Sequence, residues 1–159
     1  MSYDLDLFVP VPGEDLLTTA TRERDRELDP LLSEDAKDRN ARIFVALKAV
    51  NPNLVEQHFE GGVQLVDLND QTGITIELNN AGGSLSVPYW HDQDAHRVLG
   101  LIDRYLKVLH QSAGFRAFDP QSDSIVDLQN GILASKAVYG IGVGALNATA
   151  RAKPWWKLW

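Results

Sequence analysis

Apolar and polar residues alternate in two short stretches on either side of a glycine turn. Ile74, Ile76 and Leu78 precede the Asn-Ala-Gly-Gly sequence at 80–83, and Leu85, Val87 and Tyr89 follow it. A period of two gives each arm one apolar face and predicts a hairpin. The period then changes: Ala95, Val98, Leu99, Ile102, Tyr105, Leu106 and Leu109 recur at helical spacing, a stripe wide enough to cover that face. Gly114 closes the helix as a C′ glycine. Short strands are expected at 115–118 and 124–128, around a turn in which Pro120 sets one dihedral and Asp119 and Asp123 make local side-chain turns.

The same reading extends to the first half of the chain. Tyr3, Leu5, Leu7 and Val9 alternate with Ser2, Asp4, Asp6 and Phe8, a half-buried strand ended by Pro10 and Pro12. Residues 13–30 form a mixed-charge run with Leu16, Leu17 and Leu28 as apolar anchors, readable as a short helix or as a solvated loop. Ser33 is placed to N-cap a helix that runs through Val50, with Glu34 and Asp35 in the first turn and a stripe of Ala36, Ile43, Phe44, Leu47 and Val50. Pro52 disfavours helix at Asn51 and ends it. Leu54, Val55 and Phe59 are expected to form one more short turn, and 63–68 a strand whose uneven alternation leaves room for a bulge.

The predicted order is β-α-βββ-α-ββ. Adjacent strands in runs favour an α+β fold, an antiparallel sheet with helices mainly on one face. Residues 1–130 read as a single domain. The alanine- and glycine-rich residues 131–152 are expected to form a C-terminal helical segment, weakened by Gly140, Gly142 and Gly144, and 153–159 a tryptophan-rich tail.

Composition narrows the function classes. In 159 residues there is no cysteine, which excludes disulfides and thiolate metal sites and fits a cytoplasmic setting. A formal charge of -7 repels phosphate backbones and anionic lipid, so a basic or neutral protein partner fits better than nucleic acid. Asp4 and Asp6 lie where a signal peptide needs positive charge, and 131–150 is too interrupted for a transmembrane span of about 30 Å.

The most polar cluster is Trp90-His91-Asp92-Gln93-Asp94-Ala95-His96, where a strand hands over to a helix. Asp92 and His96 share a helical face, and with His91 could hold a cation; the spacing is not that of the zincins, and a capped helix start explains the same residues. The loop from Asp67 to Gly73 fails the calcium-loop register, with Thr72 where glycine is needed and Glu77 one position early. Glycines 140, 142 and 144 lack dinucleotide-loop spacing. The alternating charges from Arg22 to Glu27 read as a solvated face. Trp155, Trp156 and Trp159, with Lys153 and Lys157, suit a partner groove or fold-back onto the domain better than a membrane surface.

Val87-Pro88-Tyr89-Trp90-His91, the following helix and Phe118-Asp119-Pro120-Gln121 give residues 76–128 a form that resembles a loose group of small bacterial proteins. The opening Tyr3-Asp4-Leu5 and the tail Pro154-Trp155-Trp156-Lys157 are similar to theirs. The resemblance implies an immunity-type role against a bacterial toxin and assigns no residue a part in it. The expected function is therefore non-enzymatic protein binding without a cofactor, aimed at a basic protein such as a toxin. Tyr89, Trp90, His91, Asp94, Trp155 and Trp156 are the candidate contacts, since exposed aromatics among polar neighbours suit interface centres. Two alternatives stand beside it: a small metal-binding protein or hydrolase using His91, Asp92 and His96, and a self-associating subunit.

Overall fold

The computed structural model describes residues 2–27, 29–68, 72–88 and 95–128, the side chains of Ala95 and His96 excepted. β1 (Ser2–Phe8) is followed by α1 (Leu16–Arg24) and α2 (Glu34–Val50), four strands β2 (Leu54–Phe59), β3 (Gly62–Asp67), β4 (Thr75–Leu78) and β5 (Gly82–Pro88), then α3 (Ala95–Ala113), β6 (Arg116–Asp119) and β7 (Ser124–Ile125). The strands make one sheet in the order β2-β3-β4-β5-β1-β6-β7. Every neighbouring pair is antiparallel, so the fold is α+β as expected.

The alternation of β1 decides its place. Tyr3, Leu5 and Leu7 are at most 3% exposed, and the strand is paired on both sides, by β5 and β6. Their face meets α2 and α3. Ile43 and Leu47 from α2, with Val98, Ile102, Tyr105 and Leu109 from α3, close one core with Leu65, Ile76, Leu85 and Val87 of the sheet. α1 lies on the opposite face, where Leu16 and Ala20 meet Phe8, Phe118 and Ile125. Two of the three helices among the described residues thus share the principal core face, and the charged 13–30 segment is helical over Leu16–Arg24.

Capping follows the side chains that the sequence offers. Ser33 accepts from the Ala36 N–H at 3.2 Å, and Gly114 adopts φ +72 after α3, with its N–H on the His110 carbonyl. At the end of α2, the Asn51 amide donates to Asp67 at 2.8 Å and to the Tyr105 hydroxyl at 2.9 Å, pinning α2, β3 and α3 together. Arg39 ties α2 to the β4–β5 turn by donating to the carbonyls of Asn79 and Asn80 and lying over the Phe115 ring. Loss of water lowers its pKa, with Arg42 adding to the effect.

Three local expectations are corrected. Residues 54–59 are not a helical turn but strand β2, paired with β3 in unbroken register from Leu54–Asp67 to Phe59–Gly62. Cross-strand pairing overrides the weak local signal of an edge strand that is apolar only at Leu54, Val55 and Phe59. β3 carries no bulge, because each residue from Val63 to Val66 has one partner on β4. The meander therefore has four strands, and the order is β-α-α-ββββ-α-ββ. β6 is shifted by one residue against the expected 115–118, and β7 stops short of the expected 124–128. The expected helical segment at 131–152 and the tail at 153–159 lie outside the described residues.

Candidate functional site

The face of the sheet turned away from α2 and α3 is polar along its middle. One line of directly opposed residues crosses all seven strands: Gln57, Gln64, Glu77, Ser84, Asp6, Phe118 and Ile125. A parallel line brings Val55, Val66, Thr75, Ser86 and Asp4 together. This arrangement is a consequence of pleating, since the residues left over from each strand's apolar set share the other face. α1 covers only the Phe8, Phe118 and Ile125 end. Over β2 to β5 no helix among the described residues lies on this face, and Val55 and Phe59 remain 38% and 42% exposed.

Where the C-terminal half of α1 overhangs the sheet, a cleft of about 380 Å³ opens. Asp6, Arg24, Phe59, Glu77, Asn79 and Ser84 line it. Its floor is glycine by necessity. A Cβ at Gly82 would run into the Leu7 carbonyl oxygen, and one at Gly83 into that of Glu77. Phe59 supplies apolar surface, and Glu77 accepts a hydrogen bond from the Gln64 amide at 3.1 Å.

Asp6 is the unusual group. Its Oδ2 is buried and has no hydrogen-bond partner among the described residues. Burial pushes the carboxyl above its usual value, Arg24 pulls it partly back, and Asp4 pushes it up again. A central strand with a buried, unsatisfied carboxylate costs stability unless something cationic completes it. The sign of the pH effect follows. With the folded pKa above the ordinary 3.8, the folded state holds the proton more tightly. The cost is absent below the unfolded value, grows as pH rises, and is complete above the folded one. Asp6→Asn is therefore expected to raise the thermal midpoint at pH 7, with the gain shrinking as pH falls toward 3.8 in paired melts. An unchanged or lower midpoint at pH 7 would show that the carboxylate is satisfied.

Compared with known proteins, the chain matches no family model, no curated protein and no solved structure. The geometry thus carries the functional reading by itself. Among the described residues no group of three or more His, Cys, Asp or Glu side chains is placed to hold a metal ion. Nor is any of their helices long and apolar enough to cross a membrane. What the open face can do is receive positive charge and apolar side chains together.

Tyr89, Trp90, His91, Asp92, Asp94, Trp155 and Trp156 lie outside the described residues, and so does the side chain of His96 in the first turn of α3. β5 ends at Pro88 opposite Ser2, next to the Asp4–Ser86 pair of the open face. Asp6, Glu77, Ser84 and Phe59 escaped sequence reasoning. The available signal was the acidic half of the β1 alternation, Asp4 and Asp6, which reads as ordinary solvent-facing polarity until the strand is known to be central.

Proposed function

We propose that this chain is a non-enzymatic protein-binding module of the immunity type, which neutralises a basic protein, such as a toxin, by direct contact. The observation that carries this reading is the half-open sheet face, which carries Asp4 and Asp6 on β1, Glu77 on β4 and the exposed Val55 and Phe59 on β2, with Asp6, Glu77 and Phe59 lining one cleft. Carboxylates next to apolar anchors match a partner surface of Lys or Arg and apolar residues. The Asp6 carboxylate, whose Oδ2 has no hydrogen-bond partner among the described residues, then gains a donor. The sequence supports the same direction, since a chain of formal charge -7 attracts basic proteins at long range. Tyr89, Trp90, His91 and Asp94, which follow β5 in sequence, belong to the same proposal as contact residues. A cytoplasmic site of action belongs to the same proposal.

Affinity capture with the tagged full chain from its source cells tests it. A stoichiometric basic protein that is retained at low salt and weakened at moderate salt is the expected result. Recovery of the chain alone, or of a partner indifferent to salt, would contradict the proposal.

A further inference from the structure

The two edges of the sheet are not alike. β7 is only two residues long, Ser124–Ile125, whereas β2 runs for six, Leu54–Phe59. Among the described residues β2 has a strand neighbour on one side alone, β3. It holds no proline, no lysine and no bulge, three devices that blunt an edge against further pairing. Val55 and Phe59 stand exposed along it.

Backbone geometry says which groups this edge offers. Opposed residues of an antiparallel ladder alternate between pairs that exchange hydrogen bonds and pairs that do not. Glu60 and Gly61 alone connect β2 to β3, so Phe59–Gly62 is a hydrogen-bonded pair, and Gln57–Gln64 and Val55–Val66 are the next two. The N–H and C=O groups of Glu56 and His58 therefore point away from β3. The Leu54 N–H is taken by the Asn51 carbonyl at 3.3 Å. A further antiparallel strand has to pair its own outward residues with Glu56 and His58.

We propose that this strand is β2 of a second copy of the chain, paired antiparallel about a two-fold axis at Gln57. The segment Val55-Glu56-Gln57-His58-Phe59 reads apolar, acid, amide, imidazole, apolar, and is its own complement when reversed. With Gln57 opposite Gln57 of the second copy, Glu56 meets its His58 and His58 meets its Glu56, each pair exchanging both backbone hydrogen bonds. On the other face Val55 meets Phe59, a β-branched side chain against an aromatic one. The donor–acceptor match is already made within one strand, where His58 Nε2 lies 3.1 Å from Glu56 Oε1. The adjacent registers that the outward groups permit are worse, since one opposes Glu56 to Glu56 and the other His58 to His58. The two-fold axis also closes the assembly. It uses up the long edge and joins the two sheets into one, with only the short β7 edges left among the described residues. Pairing is edge to edge and leaves the polar face over β2 to β5 uncovered, so the proposal stands apart from what that face binds.

Disulfide trapping reads the register directly, because the chain has no cysteine of its own. Gln57→Cys sets two thiols opposite each other at a non-hydrogen-bonded pair, where Cα atoms lie about 4.5 Å apart. Val55→Cys leaves them about 13 Å apart along the strands. Rapid covalent dimer formation under mild oxidation is expected for the first and little for the second. No trapping of Gln57→Cys, or equal trapping of both, would overturn the proposal. Sedimentation of the native chain from micromolar to millimolar concentration is expected to show a mass that rises to twice that of one chain and stops there. A single-chain mass throughout would overturn it. His58→Pro deletes an outward N–H and keeps the bonds to β3, so self-association weaker by about tenfold is expected, and unchanged association would overturn the proposal. Glu56→Lys is expected to weaken association too, and adding His58→Glu to restore it, because the exchanged charges again face each other. Failure of the double substitution to restore the dimer would overturn the register and the proposal with it.

Discussion

Asp119→Ala is expected to lower the unfolding free energy by about 3 kcal/mol, the largest single effect among the polar positions. Asp119 is fully buried at the end of β6. Its Oδ2 accepts from the Tyr3 hydroxyl at 2.8 Å, and its Oδ1 from the Gln121 and Ser122 backbone N–H groups at 2.9 and 3.4 Å. The first bond joins the turn to the central strand across 116 positions of sequence, and the others shape the turn itself. Hydrogen bonds to a charged acceptor contribute about 1.5–3 kcal/mol each, and alanine removes all of them while desolvated donors stay behind. Tyr3→Phe is the informative control. It deletes one donor and leaves the carboxylate its backbone partners, so a loss of about 1 kcal/mol is expected. Urea unfolding of both variants and of the pair gives the coupling between them. A loss below about 0.5 kcal/mol for Asp119→Ala would mean that the turn is held by other contacts.

Much of the fold could be read from periodicity because its strongest patterns are also its most buried. The stripe from Val98 to Leu109 became the α3 core face, and Tyr3, Leu5 and Leu7 became the centre of the sheet. Leu101, 9% exposed, lies off the predicted stripe and is covered nonetheless. β2 was illegible because only Leu54 turns fully into the core; Gln57, His58 and Phe59 are exposed, so the pattern lacks a buried alternation. Its strand character comes from β3, a partner that local sequence does not display. The second helical face was equally hidden. Phe8 reads as an interruption of polar alternation, yet it is 1% exposed because Ala20 and Phe118 cover it on the far side of the sheet.

The candidate site was less legible for a related reason. Chemistry-bearing residues cluster in sequence around His91, whereas the open face gathers one residue from each strand. Glu77, Ser84 and Asp6 are neighbours only through register. Asp6 shows its character only when β1 is flanked on both sides, since burial of the backbone around it is what deprives the carboxylate of water.

The second large effect concerns binding. Asp4→Asn, Asp6→Asn and Glu77→Gln together are expected to slow association with the captured partner about tenfold at low salt, since steering scales with the charge that the face presents. The substitutions keep side-chain size, and the loss of the Asp6 burial cost keeps the variant at least as stable at neutral pH. Under the proposed function, stability and binding are set against each other at Asp6.

The most direct test of the open face as the binding surface is the association rate of that partner with the native chain and with this triple variant, measured across ionic strength. The account predicts a native rate that falls steeply with salt, a variant rate that is low and nearly flat, and convergence of the two at high salt. Equal rates and equal salt dependence for both proteins would contradict it and move the contact elsewhere on the chain.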